Sequence, residues 1–177
     1  VASAAVELAR KICGSLESKA VLLGGAGEMG ELAARHLQEH GAMPVYVSNR
    51  TWSRAQDLAH TLSGTAVPYE RFAATMAEVD VVITSTAAPE PIVRAQDVER
   101  ALHFRRHRPL FFIDLAVPRN VEPAVNDLED AFCYDVDDLR LVVEANLRER
   151  QKEAQRAEAV VEREVVKFVV RLRDLEV

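Results

Sequence analysis

Near the start of the chain stands the stretch Lys19-Ala20-Val21-Leu22-Leu23-Gly24-Gly25-Ala26-Gly27-Glu28-Met29-Gly30. Its apolar first half predicts a buried strand, and the residues that follow the glycines predict a helix. A glycine-rich turn between a strand and a helix is typical of dinucleotide-binding domains. In such a turn Gly25 permits the tight bend, Gly27 lets the backbone approach a pyrophosphate, and Gly30 lets the helix pack closely on the sheet.

The helix after this turn is predicted to run from about Glu28 to Gly41. Its N-terminal amides and the positive end of its dipole favour a phosphate. We therefore predict that the turn holds the pyrophosphate of a dinucleotide; the alternative is a tight turn that binds nothing. The candidate cofactor-binding residues are Gly25, Ala26, Gly27, Glu28, Met29 and Gly30.

The end of the second predicted strand indicates which dinucleotide is bound. NAD-binding domains usually carry Asp or Glu there, which accepts hydrogen bonds from the ribose 2′-hydroxyl. This chain carries Ser48, Asn49, Arg50 and Thr51 instead, and an arginine suits the 2′-phosphate of NADP. We therefore predict NADPH as the cofactor, with these four residues in its site. Arg54, one helical turn later, is either a second phosphate ligand or a solvated cation.

Strands and helices alternate through the first 135 residues, which predicts an α/β fold with a doubly wound parallel sheet, Rossmann-like in class. Strands are predicted near residues 20–24, 44–47, 66–67, 80–84, 110–113 and 131–134. Helices are predicted at residues 3–15, 28–41, 53–62 and 71–77. The predicted division is an opening helix at 1–18, an NADP-binding domain at 19–135 and a long helix at 136–177.

The long helix is predicted from apolar residues that recur mostly at steps of three and four. A helix of this length is a spacer or an oligomerisation element rather than part of a compact domain. The stripe consists of Leu139, Val143, Ala154, Ala157, Val161, Val165, Phe168, Leu172 and Leu175.

Two further segments follow buried strands, where ligands of such sheets bind. Ser85, Thr86 and Ala87 follow the fourth strand, and their hydroxyls are candidates to bond a ribose or the nicotinamide. Ala116, Val117 and Pro118 follow the fifth, and their backbone is a candidate wall of the nicotinamide pocket. The alternative for each segment is an ordinary loop at a strand end.

Composition excludes several classes of function. The 177 residues are 49% hydrophobic, which supports a real core, and the net charge of −6 argues against unaided binding of nucleic acid. Two distant cysteines give no disulfide framework, and no signal peptide or membrane span is evident, so a cytoplasmic location is expected. Both ends fall within helical patterns, which indicates a domain excised from a longer protein.

Other polar clusters are assigned structural roles. In the cluster Asp135, Asp137 and Asp138, either Asp135 or Asp137 is expected to cap the long helix rather than to bind a metal, and the negative charges favour the N-terminus of that helix. The basic run 105–108 is expected to be a solvated edge before a strand. Cys13 and Cys133 lie in apolar segments and are expected to be structural thiols. The sequence thus predicts a cofactor site with no catalytic acid, base or nucleophile and no metal.

Five segments in their order and spacing resemble one family. They are Gly25–Gly30, Ser48–Thr51, Val82–Thr86, Asp114–Arg119 and Tyr134–Leu139. Together they resemble glutamyl-tRNA reductase, in its NADP-binding domain and the adjoining long helix, over nearly the whole chain. Gly24 departs from that pattern, since an aliphatic residue is common at this strand end.

The resemblance implies an oxidoreductase that reduces the glutamate carried on tRNA to glutamate-1-semialdehyde in tetrapyrrole biosynthesis. In that family a cysteine of an N-terminal domain attacks the aminoacyl ester, and NADPH then delivers hydride. Neither Cys13 nor Cys133 matches that motif, so this chain should bind cofactor without turnover. The implied partners are glutamyl-tRNA through other domains, a second copy of the full-length protein, and the downstream aminomutase.

Two other functions remain open from the sequence. One is the NADP-binding domain of another dehydrogenase, similar to shikimate dehydrogenase, against which the long helix and residues 116–118 argue. The other is a regulatory module whose nucleotide-bound state controls a partner through the helix, which the lack of catalytic groups permits.

Overall fold

A computed structural model describes residues 2–175 of the chain, without the side chains of Ala2, Asn146 and residues 169–175. Within these residues, six parallel strands form one sheet in the order β3-β2-β1-β4-β5-β6. The strands are β1 (Val21–Gly24), β2 (Val45–Ser48), β3 (Thr65–Val67), β4 (Val81–Thr84), β5 (Leu110–Asp114) and β6 (Ala131–Asp135). The predicted Rossmann-like α/β fold is confirmed.

Helices precede, connect and follow the strands. They are α1 (Ala2–Cys13), α2 (Glu28–Glu39), α3 (Trp52–Thr61), α4 (Phe72–Thr75), α5 (Ala95–Phe104) and α6 (Val136–Leu175). Short 3₁₀ turns cover Tyr69–Arg71, Met76–Glu78 and Pro123–Asp127. The helix predicted at 71–77 is therefore a single α-turn between two 3₁₀ turns.

The strand order reverses direction at β1 and β4, which are neighbours in register from Val21 beside Val81 to Gly24 beside Thr84. Every residue of these two strands is buried, as expected for central parallel strands covered on both faces. A sheet of this kind opens a crevice outside the carboxyl ends of the strands at the point of reversal. The glycine turn that follows β1 lies at this edge.

Helix α5 has no counterpart among the sequence predictions. Its buried residues Val98, Ala101 and Leu102 lie on one face, at the spacing of an amphipathic helix. Two parallel strands need a crossover of a dozen or more residues, so the 25 residues between β4 and β5 require such an element.

Arg105 corrects the expectation of a solvated basic edge. Its side chain is buried and donates hydrogen bonds to the carbonyl oxygens of Val79 and Pro109 and to the carboxylate of Asp80. Arg106, His107 and Arg108 are exposed, so the prediction holds for three residues and is wrong for the first. Burial lowers the pKa of the Arg105 guanidinium, and its hydrogen bond to Asp80 opposes that shift.

A reciprocal cap begins helix α6. The Asp135 carboxylate accepts from the backbone N–H groups of Asp137 and Asp138, at 2.8 and 3.1 Å. The Asp138 carboxylate accepts from the N–H of Asp135 at 3.0 Å. Of the two alternatives for the cap, Asp135 is confirmed, and its reciprocal partner is Asp138 rather than Asp137.

The chain divides into two compact units, Val1–Arg140 and Leu141–Val177. The second unit consists of the rest of α6, and its apolar residues Val161, Val165 and Phe168 are exposed. The side chains of Leu172 and Leu175, also predicted in the apolar stripe, lie outside the described residues. Within residues 2–175 we find no helix with the length and hydropathy of a membrane span.

Candidate cofactor site

A cavity of about 250 Å³ lies at the carboxyl edge of the sheet. Three of its residues follow three adjacent strands: Gly25 after β1, Asn49 after β2 and Thr86 after β4. The fold thus brings together segments that are far apart in sequence. The residues that line the cavity are Gly25, Asn49, Arg50, Thr51, Arg54, Tyr69, Thr86, Ala87, Ala88, Pro89 and Ile92.

Two cations line this cavity. Arg50 and Arg54 are both exposed, and among the described residues no carboxylate forms an ion pair with either of them. The amide of Asn49 donates to the carbonyl oxygen of Thr51 at 3.1 Å, which fixes the turn that carries Arg50. Two unpaired guanidinium groups beside a cavity make an electropositive site suited to a phosphate.

The glycine turn is held between two strand ends. Gly25 has a φ of +103°, which favours glycine, and its N–H donates to the carbonyl oxygen of Ser48 at 2.8 Å. The N–H of Ser85 donates to the carbonyl oxygen of Gly24 at 2.9 Å. The backbone of the turn is therefore tied to β2 on one side and to the loop after β4 on the other.

Ser85 fills the space beside the glycines. A Cβ atom at Gly27 would lie 2.8 Å from both the carbonyl oxygen and Oγ of Ser85, and one at Gly30 would lie 2.8 Å from the Ser85 Cβ. The absence of a side chain at these positions thus permits close packing of the β4 loop on the turn. This contact is additional to the roles predicted from the sequence, which were room for a pyrophosphate at Gly27 and close packing of the helix on the sheet at Gly30.

The N-terminus of α2 fits a phosphate. Gly27 is the N-cap, and no side chain caps the helix there. Glu28 and Met29 are exposed, while Gly30 is buried. Uncapped N–H groups at a helix N-terminus are an anion-binding arrangement, so the residues present suit the pyrophosphate of a dinucleotide.

Ser48 contributes its backbone rather than its side chain. Its side chain is 1% exposed, and its Oγ has no hydrogen-bond partner among the described residues. The carbonyl oxygen of Ser48 accepts from Gly25, as described above. Ser48 does not line the cavity, whereas the predicted residues Asn49, Arg50 and Thr51 do.

A buried network supports the loop that carries Thr86. Asn120 is fully buried, and its Oδ1 accepts from the N–H of Thr86 at 3.0 Å and from Thr86 Oγ1 at 2.7 Å. Oδ2 of Asp114 accepts from the N–H groups of Asn120 and Val121, at 2.8 and 2.9 Å. The Thr86 hydroxyl, which the sequence predicts as a candidate to bond the cofactor, therefore donates a hydrogen bond to Asn120.

The loop after β5 lies outside the cavity lining. Ala116 is buried and its N–H donates to Oδ1 of Asp114, while Val117 is 84% exposed and Pro118 is exposed. Of the predicted site residues, the structure brings seven of seventeen to the cavity, namely Gly25, Asn49, Arg50, Thr51, Arg54, Thr86 and Ala87. The nicotinamide role of residues 116–118 stays a prediction.

The predicted site residues omit five residues of this region. The cavity is also lined by Tyr69, Ala88, Pro89 and Ile92, and Asn120 holds Thr86 through hydrogen bonds without lining the cavity. Tyr69 follows β3 as Thr86 follows β4, so the rule that ligands bind at carboxyl ends of strands was a usable signal for it. For Asn120 no local signal exists, because its partner Thr86 is 34 positions away in sequence.

The surroundings of the two cysteines raise the pKa of both thiols. Both are free. Burial raises the pKa of the Cys13 thiol, and burial with the nearby charges of Asp114 and Asp135 raises the pKa of Cys133 to about 12. The thiolate is the reactive form. In the described part of the chain, no group of three or more His, Cys, Asp or Glu side chains is placed to hold a metal ion.

Comparison with known proteins places this arrangement in a family. The family profile described as "Shikimate / quinate 5-dehydrogenase" matches residues 7–142. The chain belongs to this family. The match spans the sheet and its connecting helices, and the fold is thus a dinucleotide-binding one.

Individual relatives of the chain carry a different name from that of the family profile. Glutamyl-tRNA reductase from Solibacter usitatus is 52% identical over 177 residues, and that from Trichlorobacter lovleyi is 50% identical over 177 residues. Each match covers 100% of this chain but only 42% and 41% of the relative. The resemblance drawn from the sequence motifs is confirmed.

A solved structure agrees with these relatives. Glutamyl-tRNA reductase from Methanopyrus kandleri superposes with a TM-score of 0.85 at 43% identity, covering 98% of this chain and 44% of that one. This chain thus spans less than half of the length of each of these three proteins.

Proposed function

We propose that this chain is the NADPH-binding module of a glutamyl-tRNA reductase, an enzyme that reduces glutamyl-tRNA to glutamate-1-semialdehyde in tetrapyrrole biosynthesis. The observation that carries the proposal is the cavity in which Arg50 and Arg54 face the glycine turn and the Thr86 loop. Relatives that carry this name and are 52% and 50% identical to the chain in sequence support the proposal.

The selectivity for NADPH over NADH follows from charge. A 2′-phosphate carries about two negative charges near neutral pH, whereas the 2′-hydroxyl of NADH carries none. Arg50 would hold this phosphate with Arg54 as a second donor, and the amides at the start of α2 would hold the pyrophosphate. The carboxylate that would accept from a 2′-hydroxyl is replaced here by Asn49.

The residues of this chain would bind and orient the cofactor. NADPH, when bound, supplies a hydride to an acyl group. Burial raises the pKa of both cysteine thiols, which disfavours their thiolate forms. The module should therefore bind cofactor without turnover, and the nucleophile would come from another part of the enzyme.

Several features of the complete enzyme belong to this proposal. They are a division at 1–18, 19–135 and 136–177, a homodimer of the full-length protein, glutamyl-tRNA as substrate, the downstream aminomutase as a partner and a cytoplasmic location. Free cysteines support the location, because disulfides are rare in the cytosol. The capped start of α6 supports the boundary near Asp135.

The experiment is a calorimetric titration of the chain with NADPH and, separately, with NADH. We expect NADPH to bind at least about tenfold more tightly, a difference of about 1.4 kcal/mol. Arg50→Ala should weaken NADPH by about 1.5–3 kcal/mol, the scale of a charge-assisted hydrogen bond, and should leave NADH unchanged.

Arg108→Ala is the matched control, because Arg108 is exposed and lies before β5, at the amino edge of the sheet. It should change neither affinity. Equal losses for NADPH and NADH in Arg50→Ala would reject the 2′-phosphate assignment. A folded chain that binds neither nucleotide would reject the proposed cofactor function of this module.

A further inference from the structure

We propose that Asn120 is a positioning residue for the cofactor: its side-chain oxygen sets the distance between the Ser85–Ala87 loop and the glycine turn. This inference rests on the proposed function, since it assigns the position of one wall of the NADPH site. Asn120 does not line the cavity, and it would act only through Thr86.

The first step is the double contact. Oδ1 of Asn120 accepts from both the N–H and the hydroxyl of Thr86, and Thr86 Oγ1 accepts in turn from the N–H of Ala88 at 3.1 Å. Thr86 and Ala88 both line the cavity. One buried oxygen thus holds Thr86 directly and Ala88 through the Thr86 hydroxyl.

The second step is the opposite side of the same loop. Ser85 fills the space beside Gly27 and Gly30, and Thr86 Cγ2 would lie 2.6 Å from a Cβ at Gly25. The loop therefore packs against the glycine turn on one side and is hydrogen-bonded to Asn120 on the other. A shift of this loop would change the width of the cavity between the glycine turn and the side that Arg50 lines.

The third step is the anchoring of Asn120 itself. Its N–H donates to Asp114, and its carbonyl oxygen accepts from the N–H groups of Ile92 and Val93, at 2.8 and 3.0 Å. Ile92 is another cavity residue. Backbone and side chain of Asn120 together tie β5 to both ends of the segment from Thr86 to Ile92.

The oxygen and the nitrogen of the Asn120 side-chain amide differ in their hydrogen bonds. Asn120 Nδ2 is buried and has no partner among the described residues, whereas Oδ1 has two. Asn120→Asp keeps an acceptor oxygen and removes the unpartnered donor. Asn120→Leu has nearly the same size and removes the acceptor. These two variants separate the acceptor from the volume of the side chain.

The experiment titrates NADPH into the unmodified chain and the two variants, each below its own unfolding temperature. We expect Asn120→Leu to bind about tenfold more weakly, the scale of losing hydrogen bonds to a buried acceptor. Asn120→Asp should stay within about threefold. Val125→Ala, which removes buried methyl groups away from the cavity, should lower the unfolding temperature and leave the affinity unchanged.

Thr86→Val provides a second route if Asn120→Leu fails to fold. It keeps the shape and the N–H of Thr86 but removes one of its two bonds to Asn120 and the acceptor for the N–H of Ala88, and we expect about threefold weaker binding. Unchanged affinity in a folded Asn120→Leu, equal losses in Asn120→Leu and Asn120→Asp, or unchanged affinity in Thr86→Val would overturn the inference alone. Failure of the unmodified, folded chain to bind NADPH would instead reject the proposed function together with it.

Discussion

The carbonyl oxygen of Ser85 lies 2.8 Å from the point where a Cβ atom at Gly27 would stand, and the Ser85 hydroxyl oxygen lies at the same distance. Real Cβ atoms do not approach other atoms so closely, so Gly27 is required by the packing of the β4 loop. The same residue is the uncapped N-cap of α2. Stability and the proposed phosphate binding therefore depend on one missing side chain.

Gly27→Ala should weaken both properties. The added methyl group meets Ser85 and displaces either the turn or the loop, at a cost of about 1–3 kcal/mol in the free energy of unfolding. Because both segments border the candidate site, we expect NADPH affinity to fall at least about tenfold. Thermal unfolding and calorimetry measure the two effects.

Val98→Ala is the control for Gly27→Ala, since Val98 is buried in α5 and its truncation should cost stability of similar size. We expect it to leave NADPH affinity unchanged. Full affinity in a folded Gly27→Ala protein would mean that the pyrophosphate lies elsewhere.

The features predicted correctly from the sequence are ones that neighbouring residues determine. Continuous apolar strands, the glycine turn and the long helix each leave a pattern within a window of a few residues. Gly24 shows the limit, because a Cβ there would lie 2.8 Å from the ring of Phe72, 48 positions later. The departure from the family pattern thus has a packing reason that only the tertiary structure reveals.

Charge patterns were the least informative part of the sequence. Arg105 and Arg108 belong to one basic run, yet one is buried and the other is exposed. The difference arises because carbonyl oxygens of a distant segment, Ala77 to Val79, converge on Arg105. For the same reason the support of Thr86 by Asn120 could not be predicted from either residue's neighbours.

Arg54→Ala tests whether Arg54 is a phosphate ligand or a solvated cation. Since Arg54 lines the cavity without an ion-pair partner among the described residues, we expect it to act as a second donor. NADPH affinity should fall by about twofold to fivefold, the range of an exposed charge interaction. NADH affinity should stay constant.

Salt gives an independent readout for the same variant. Exposed charges are screened at high ionic strength, so the difference between Arg54→Ala and the unmodified chain should shrink at about 0.5 M NaCl. Identical NADPH affinities at low salt would assign Arg54 to the solvent.

Arg105→Met should destabilise the fold and leave the cofactor site intact. The substitution keeps the apolar bulk but leaves the carbonyl oxygens of Val79 and Pro109 and the carboxylate of Asp80 without their donor. We expect a loss of about 3 kcal/mol in the free energy of unfolding, measured by denaturant titration. Arg108→Met, at an exposed position, should cost almost nothing. Equal stability of the two variants would refute the structural role of Arg105.

The reactivity of Cys133 tests the conclusion that this chain has no nucleophilic thiol. Burial, with the charges of Asp114 and Asp135, raises the pKa of Cys133 from 9.0 to about 12, so its thiolate fraction at pH 8 should be about a thousandfold below that of an ordinary thiol. In a Cys13→Ala background, iodoacetamide should label native Cys133 far more slowly than the unfolded protein.

The sign of the pH dependence follows from the same shift. Because the unfolded thiol ionises near pH 9 and the native thiol does not, the contribution of Cys133 to stability is complete below pH 9 and is lost as the pH rises toward 12. Replacing Cys133 with Ala should therefore flatten the decline in unfolding free energy between pH 8.5 and about 10.5. Native labelling at pH 8 as fast as in denaturant would show an accessible thiolate, and a catalytic role for Cys133 would then have to be considered.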